Sequence, residues 1–291
     1  MKRKRISLFD VLTHMLGAVL LAMVLYPLIL IVSCSVSDPQ LVATGQVLLF
    51  PKGITFDGYR QILKNKDILI GYGNTIFYTV VGTLINLAVT VPAGYALTKR
   101  TLPGGKIFMA FFMFIMYFSG GLIPSFLVVK GLGLYNTRWV LLILGAYNTY
   151  NCIICRTFFD AMPRELEEAA VIDGCSVMGT FFRVVLPLSK ALMGVMVLYF
   201  AVGHWNAYFD ALIYIKDDGM QPLQVFLRRI LILAQQQANM EEAAEYAQSL
   251  ANLEALIRYA VIVVSSLPLL IAYPFLQKYF DQGVMIGSVK G

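Results

Sequence analysis

The stretch Arg164–Pro187, RELEEAAVIDGCSVMGTFFRVVLP, is polar where most of the chain is not. It opens with Glu165, Glu167 and Glu168, carries a glycine at 174, and closes on Leu186-Pro187 just before another apolar run. Nine charged residues fall between Arg156 and Lys190, namely Arg156, Asp160, Arg164, Glu165, Glu167, Glu168, Asp173, Arg183 and Lys190. Burying such groups in hydrocarbon costs about 2.5–3.5 kcal/mol each, more than about 20 kcal/mol for the set, so this segment has to sit in water. The surroundings are the opposite. Of 291 residues, 58% are hydrophobic and 14% charged, and the mean hydropathy is +0.71. That composition leaves too little polar surface to coat a soluble globule and belongs to the membrane class.

Crossing ~30 Å of hydrocarbon at 1.5 Å per residue takes about 20 apolar helical residues. Six stretches qualify: residues 11–33, 72–97, 107–129, 139–159, 192–215 and 259–280. The third is interrupted by SGGLIP and the second carries Pro92 and Gly94; such breaks are tolerated where protein or a wet cavity satisfies the freed backbone. Lys and Arg near span ends set orientation. Lys2, Arg3, Lys4 and Arg5, then Lys99, Arg100 and Lys106, then Arg156, Arg164, Arg183 and Lys190 all fall on one side, which is therefore cytoplasmic. The expectation is an all-α membrane protein with six transmembrane helices, N-in and C-in. Its parts are a tail, first helix and external loop over 1–71, a transmembrane domain over 72–281 with a cytoplasmic loop at 160–190, and a cytoplasmic tail over 282–291. The net charge of +6 reads as topology and lipid-headgroup contact, and no basic patch interleaved with aromatics suggests nucleic acid.

Inside the polar loop, Pro163 suits the first position of a helix, and the glutamates after it lie at the favourable end of the helix dipole. Gly174 can end that helix in a left-handed conformation. Ser176 can cap a second short helix, VMGTFFRVV, which runs until Pro187 breaks it. Ala169, Ala170, Met178 and Phe181 then offer a small apolar surface. This shape fits a cleft on a cytoplasmic partner; an amphipathic connector on the inner leaflet fits the pattern equally well.

The spacing Glu168-Ala169-Ala170, Asp173-Gly174, Leu186-Pro187 resembles the EAA loop of ABC importer membrane subunits, in the form found in the sugar-importer group. The similarity runs along nearly the whole chain: GNTIFYTVVGTLINLAVTVPAGYALTKR resembles the family's second span and VGHWNAYFDALIYI its fifth. The tail FLQKYFDQGVMIGSVKG resembles permeases related to the smaller subunit of the maltose system. Together with FSGGLIPSFLVVKGLGLYNT, it looks closest to a branch importing complex oligosaccharides, pectin- and alginate-derived ones included. The resemblance implies a type I ABC importer permease fold in a bacterial cell membrane. It implies that Glu168, Ala169, Ala170, Asp173, Gly174, Met178, Phe181 and Pro187 serve ATPase coupling, with the short helix seated in a groove of the ATPase. It implies as partners a second homologous permease forming a heterodimer, two copies of a cytoplasmic ATPase, an extracytoplasmic solute-binding protein and membrane lipid. No cofactor is expected on this chain, with ATP and magnesium held by the ATPase.

Other features weigh for and against that reading. No G-x-x-x-x-G-K-[ST] occurs, since PGGKIF lacks the spacing and the hydroxyl residue. Hydrolase and deaminase patterns are missing too, so enzymatic activity is not expected. The pair Cys152 and Cys155 has no second ligand pair, which favours packing over metal. A second EEAA at Glu241–Ala244 meets Gln248 where a glycine would follow, and reads as an external amphipathic helix over 240–256. Polar residues inside spans are expensive and suggest a path or interhelical bonding. Tyr147, Asn148 and Asn151 in the fourth span, with His204, Trp205, Asn206 and Tyr208 in the fifth, combine the aromatic faces and amides that hold sugars. Arg228 and Arg229 would suit an acidic sugar or a structural role. A secondary transporter would need embedded carboxylates and repeats; the one acid in the six stretches is Asp210.

Overall fold

The computed structural model describes residues 8–99, 101–238, 257–271 and 273–274. The basic residues at 2–5, Arg100, the second EEAA with the helix proposed over 240–256, the end of the sixth span and the tail 282–291 lie outside the described residues. All regular structure among the described residues is helical. In chain order the helices are α1 (Leu8–Ser35), α2 (Pro39–Ala43), α3 (Asp57–Lys64), α4 (Lys66–Ala96), α5 (Gly105–Tyr117), α6 (Leu122–Gly131), α7 (Arg138–Ile143) and α8 (Thr149–Asp160). They continue with α9 (Glu165–Ile172), α10 (Val177–Thr180), a π turn (Phe181–Val185), α11 (Leu186–Leu188), α12 (Lys190–Asn206), α13 (Phe209–Tyr214) and α14 (Leu223–Ala238). A further apolar helix runs over Ile257–Ile271.

Among the described residues two helices, α1 and α4, are each long and apolar enough to cross a membrane, and up to four crossings result if each of two bent pairs counts as one span. The chain separates into two compact units, one of Met1–Leu69 with Phe226–Pro268 and one of Ile70–Val225 with Leu269–Gly291.

In the first unit, α1 leaves Leu8, Phe9, Leu12, Leu16 and Leu20 exposed, as a helix facing lipid or another subunit would. Its far end is pinned by the segment that follows it. Ser33 Oγ donates to Leu49 O at 2.7 Å, Ser37 Oγ to Ser33 O at 2.6 Å, and Ser35 Oγ lies 2.8 Å from the Tyr59 hydroxyl.

The second unit begins with the body of α4. Asn65 starts this helix by accepting from Asp67 N at 3.0 Å and Ile68 N at 3.3 Å. At 31 residues it is about 46 Å long, and it passes through Pro92 and Gly94 as one helix. The stretch 107–129 is divided where SGGLIP predicts, with α5 and α6 at 116° and Gly121 at φ +87°. The stretch 139–159 is two helices rather than one. Gly145 lies in the interruption, and Asn148 restarts the chain as the cap of α8, accepting from Asn151 N at 3.0 Å. The stretch 192–215 likewise divides at Ala207-Tyr208 into α12 and α13.

A core of Val91 and Tyr95 from α4, Cys155 and Phe159 from α8, Phe181 and Val185 from the π turn, and Leu192, Met196 and Phe200 from α12 holds this unit together. Cys155 is fully buried, and Gly94 lets α4 approach it; a Cβ at 94 would lie 2.6 Å from Cys155 Cβ. This gives the second cysteine of the C-x-x-C a packing role. Near the other end, Asn74 Nδ2 donates to Gly219 O at 2.9 Å and Gln221 O at 3.0 Å, Tyr78 OH donates to Met220 O at 2.7 Å, and Arg138 Nη2 donates to Asn74 Oδ1 at 3.1 Å.

Candidate functional site

The polar loop folds as two short helices joined by a tight turn. In α9 the glutamates 165, 167 and 168 occupy the first turn, the position that the helix dipole favours. The helix begins at Glu165, with Pro163 just ahead of it rather than inside. Gly174 has φ +81° and closes the turn, with Gly174 N donating to Val171 O at 3.0 Å and Cys175 N to Ala170 O at 2.9 Å. Ser176 caps α10 by accepting from Gly179 N at 3.2 Å.

Pro187 does not end the second helix as expected. The π turn over 181–185 widens the backbone just before it, the kind of local adjustment that accommodates a proline ring. The chain stays helical to Leu188 and turns at Ser189 instead, the two arms meeting at 84°. Ser189 is fully buried, and its Oγ donates to Val185 O at 2.7 Å.

The expected apolar surface is also corrected. Ala170 and Phe181 are buried in the chain's own packing, at 5% and 2% exposure. Phe181 is held between Tyr95 at 4.9 Å and Phe159 at 6.5 Å, ring centre to ring centre. Residues three apart share one side of a helix, so the pattern groups Phe181 with Met178, and only the rings of Tyr95 and Phe159 decide that Phe181 is covered. Met178 is exposed as expected, together with Ile172 at 85%, Val177, Val171 and Phe182. Glu168, Ala169, Asp173 and Gly174 are exposed as well. The loop therefore has an apolar tip in the open and a base locked to α4, α8 and α12. A second tie runs from Lys99, whose Nζ sits 3.9 Å over the Tyr95 ring and pairs with Glu167. A tip that moves has to carry its base with it, because cores are close-packed and transmit displacement.

The second feature is a cleft of about 240 Å³ in the same unit, lined among others by Tyr78, Asn86, Gly145, Asn148, Asn151, Tyr199, His204 and Asp210. His204 Nε2 lies 2.6 Å from Asn86 Oδ1, and Asn86 Nδ2 donates to Gly145 O. Gly82 makes room for the ring, since a Cβ there would fall 2.5 Å from His204 Nε2. Three elements thus meet at one polar point: α4, the interruption before α8, and α12.

Of the residues expected on a path, Asn148, Asn151 and His204 line this cleft. The others do not. Tyr147 packs on Phe112 at 5.0 Å, Trp205 is buried edge-on against Tyr72 at 5.7 Å, Asn206 Nδ2 donates to Val202 O at 3.0 Å, and Tyr208 is outside the lining. Sequence reading missed Asn86, Tyr78 and Tyr199. Asn86 is buried at 1% in the middle of an apolar span, and that position was the available signal. Arg229 lies 5.4 Å over the Phe226 ring.

A polar loop whose base is locked into an apolar helical core, with a polar cleft elsewhere in the same unit, fits a membrane transport subunit. Residues 68–286 match the family described as "Binding-protein-dependent transport system inner membrane component", and the chain belongs to that family. It is a membrane permease subunit of an ABC transporter, without an ATPase site of its own. It is 43% identical over 270 residues to "Protein LplC" of Bacillus subtilis, covering 93% of this chain and 90% of that one. It is 38% identical over 285 residues to the "Polygalacturonan/rhamnogalacturonan transport system permease protein YtcP" of the same organism, covering 98% and 99%. Among solved structures it resembles a chain of a bacterial ABC transporter involved in the import of the acidic polysaccharide alginate, with a TM-score of 0.85, 34% identity, and coverage of 96% of this chain and 99% of that one.

Proposed function

We propose that this permease passes an acidic oligosaccharide, of pectin- or alginate-derived type, from an external binding protein into the cytoplasm of a bacterium. The chain would cross the inner membrane six times with both termini inside, so that the loop over 160–190 faces the ATPase. It would pair with a second, homologous permease over two ATPase copies that hold ATP and magnesium. The observation carrying the reading is the knuckle: an exposed apolar tip at Ile172, Val177 and Met178 whose base, through Phe181 and Val185, is part of the transmembrane core. The sugars named for YtcP and for the alginate transporter support the acidic class.

The cleft refines the assignment. At about 240 Å³ it falls below the ~300–1,000 Å³ usual for ligand pockets, which suits one half of a site completed by another subunit. Its lining holds amides, tyrosines, His204 and the carboxylate of Asp210 but no Lys or Arg. We therefore assign to this chain the sugar hydroxyls, and to the partner permease and binding protein the carboxylates. Reconstituting the purified complex in vesicles with its binding protein, and offering oligogalacturonides, alginate oligomers and maltooligosaccharides, tests the substrate. ATP-dependent uptake of an acidic oligomer is expected; uptake of the neutral series alone would overturn the acidic reading.

A further inference from the structure

A second pocket, of about 830 Å³, lies between Leu97, Thr98, Lys99 and Leu102, the start of α5, and Arg156 of α8. Its lining includes Lys99, Lys106 and Arg156 and no carboxylate. Gly104, Gly105, Lys106 and Ile107 also line it, so the first turn of α5, the positive end of a 13-residue helix, borders the same space. Arg156 Nε is shut off from solvent without a hydrogen-bond partner, with Asp160 Oδ2 at 3.4 Å out of alignment. The remaining wall is apolar, formed by Leu97, Leu102, Ile107 and Met109. It runs into the outward face of α5, where Ile107, Phe108 and Phe111 are exposed.

From this we infer that the pocket holds the phosphate of an anionic phospholipid headgroup, with the acyl chains lying along α5. Lys99 and Arg156 are each offset by a carboxylate, Glu167 and Asp160, but Lys106 has no ion pair among the described residues, and the net positive charge it leaves beside the helix terminus calls for an anion. The apolar wall continuous with an exposed apolar helix face selects a lipid over a soluble phosphate, which would make no use of it. The inference rests on the orientation proposed above, which puts this pocket at the inner leaflet.

The test uses the whole transporter, purified through a tag on this chain, in nanodiscs of mixed phosphatidylcholine and phosphatidylglycerol, with retained lipid counted by native mass spectrometry. Phosphatidylglycerol should be retained preferentially. Lys106→Ala should reduce that retention about fivefold, the worth of one Lys near an anionic surface at roughly 1 kcal/mol. Lys106→Arg should preserve it, and Lys130→Ala, elsewhere on the surface, should leave it unchanged. Equal retention of the two lipids, or no effect of Lys106→Ala, would overturn the inference. Loss of phosphatidylglycerol on adding inorganic phosphate would make this a soluble-anion site and overturn it as well. Thiol labelling of Thr101→Cys in intact cells checks orientation separately: labelling from outside would sink the topology while the lipid counts still decide the pocket.

Discussion

Gly174 offers the sharpest perturbation of the knuckle. Its φ of +81° lies in the left-handed region, where an ordinary L-residue costs about 1–2 kcal/mol and Asn or Asp less. A Cβ built there meets nothing within 4 Å, so no clash inside this chain adds to that strain. Set against a fold stability of about 5–15 kcal/mol, a loss of 1–2 kcal/mol leaves nearly all of the protein folded. Gly174→Asn and Gly174→Asp should therefore insert and assemble normally. If the ATPase closes over this turn, Asp nevertheless adds bulk and charge where the partner approaches. Gly174→Asp should then cut ATP-driven uptake in vesicles about tenfold or more, against unchanged levels of chain in the membrane. Gly174→Asn, which tolerates the backbone geometry as well and adds similar bulk without charge, separates the two causes: retained uptake assigns the loss in Gly174→Asp to charge, and lost uptake assigns it to bulk at a close approach. Full uptake by Gly174→Asp would refute the reasoning that places the ATPase against this turn.

Three further expectations follow from contacts elsewhere. Gly94→Ala puts a Cβ 2.6 Å from Cys155 Cβ and 3.2 Å from the Arg156 N and Cys152 O backbone atoms. This overpacking should destabilise by roughly 1–3 kcal/mol, seen as a lower aggregation temperature of the purified complex; Cys155→Gly in the same chain should recover part of it. Asn86→Leu leaves the Gly145 carbonyl and His204 without their shared partner, a loss of about 1–3 kcal/mol that the same melting assay should register. Lys99→Glu faces Glu167 with a like charge; the pair is partly buried but still reached by solvent, and such a pair is worth about 1 kcal/mol. Melting should therefore barely move, while ATP consumed per sugar transported should rise, and the swap Lys99→Glu with Glu167→Lys should bring the ratio back.

Much of this architecture was legible because its signals are local. Nine charges in one segment exclude lipid whatever the tertiary structure, and a glycine followed by a serine two residues on specifies a turn and a cap that the fold reproduces at Gly174 and Ser176. Where reading by hydropathy went astray, the cause lay in long-range contacts. Hydropathy alone cannot see that Asn148 caps α8 or that Gly145 interrupts the run before it, so residues 139–159 look like one helix. Pro187 was assigned a break because the π turn that relieves it has no signature in composition. Phe181 and Met178 are both apolar and three residues apart; that Phe181 is the one covered depends on Tyr95 and Phe159, which lie more than twenty residues from it in the chain. Asn86 was passed over for the same reason, since its partners, Gly145 and His204, come from two other elements.

The central claim, that the loop over 160–190 is the grip of the ATPase, is tested most directly by photo-cross-linking in the assembled transporter. A photoreactive residue replaces Val177 or Met178 at the exposed tip, and Asp217, exposed in the segment after α13, in a parallel sample. Adducts with the mass of the ATPase are expected at 177 and 178 and not at 217. Adducts with the ATPase at 217, or none at the tip in a complex that still hydrolyses ATP and transports, would contradict it.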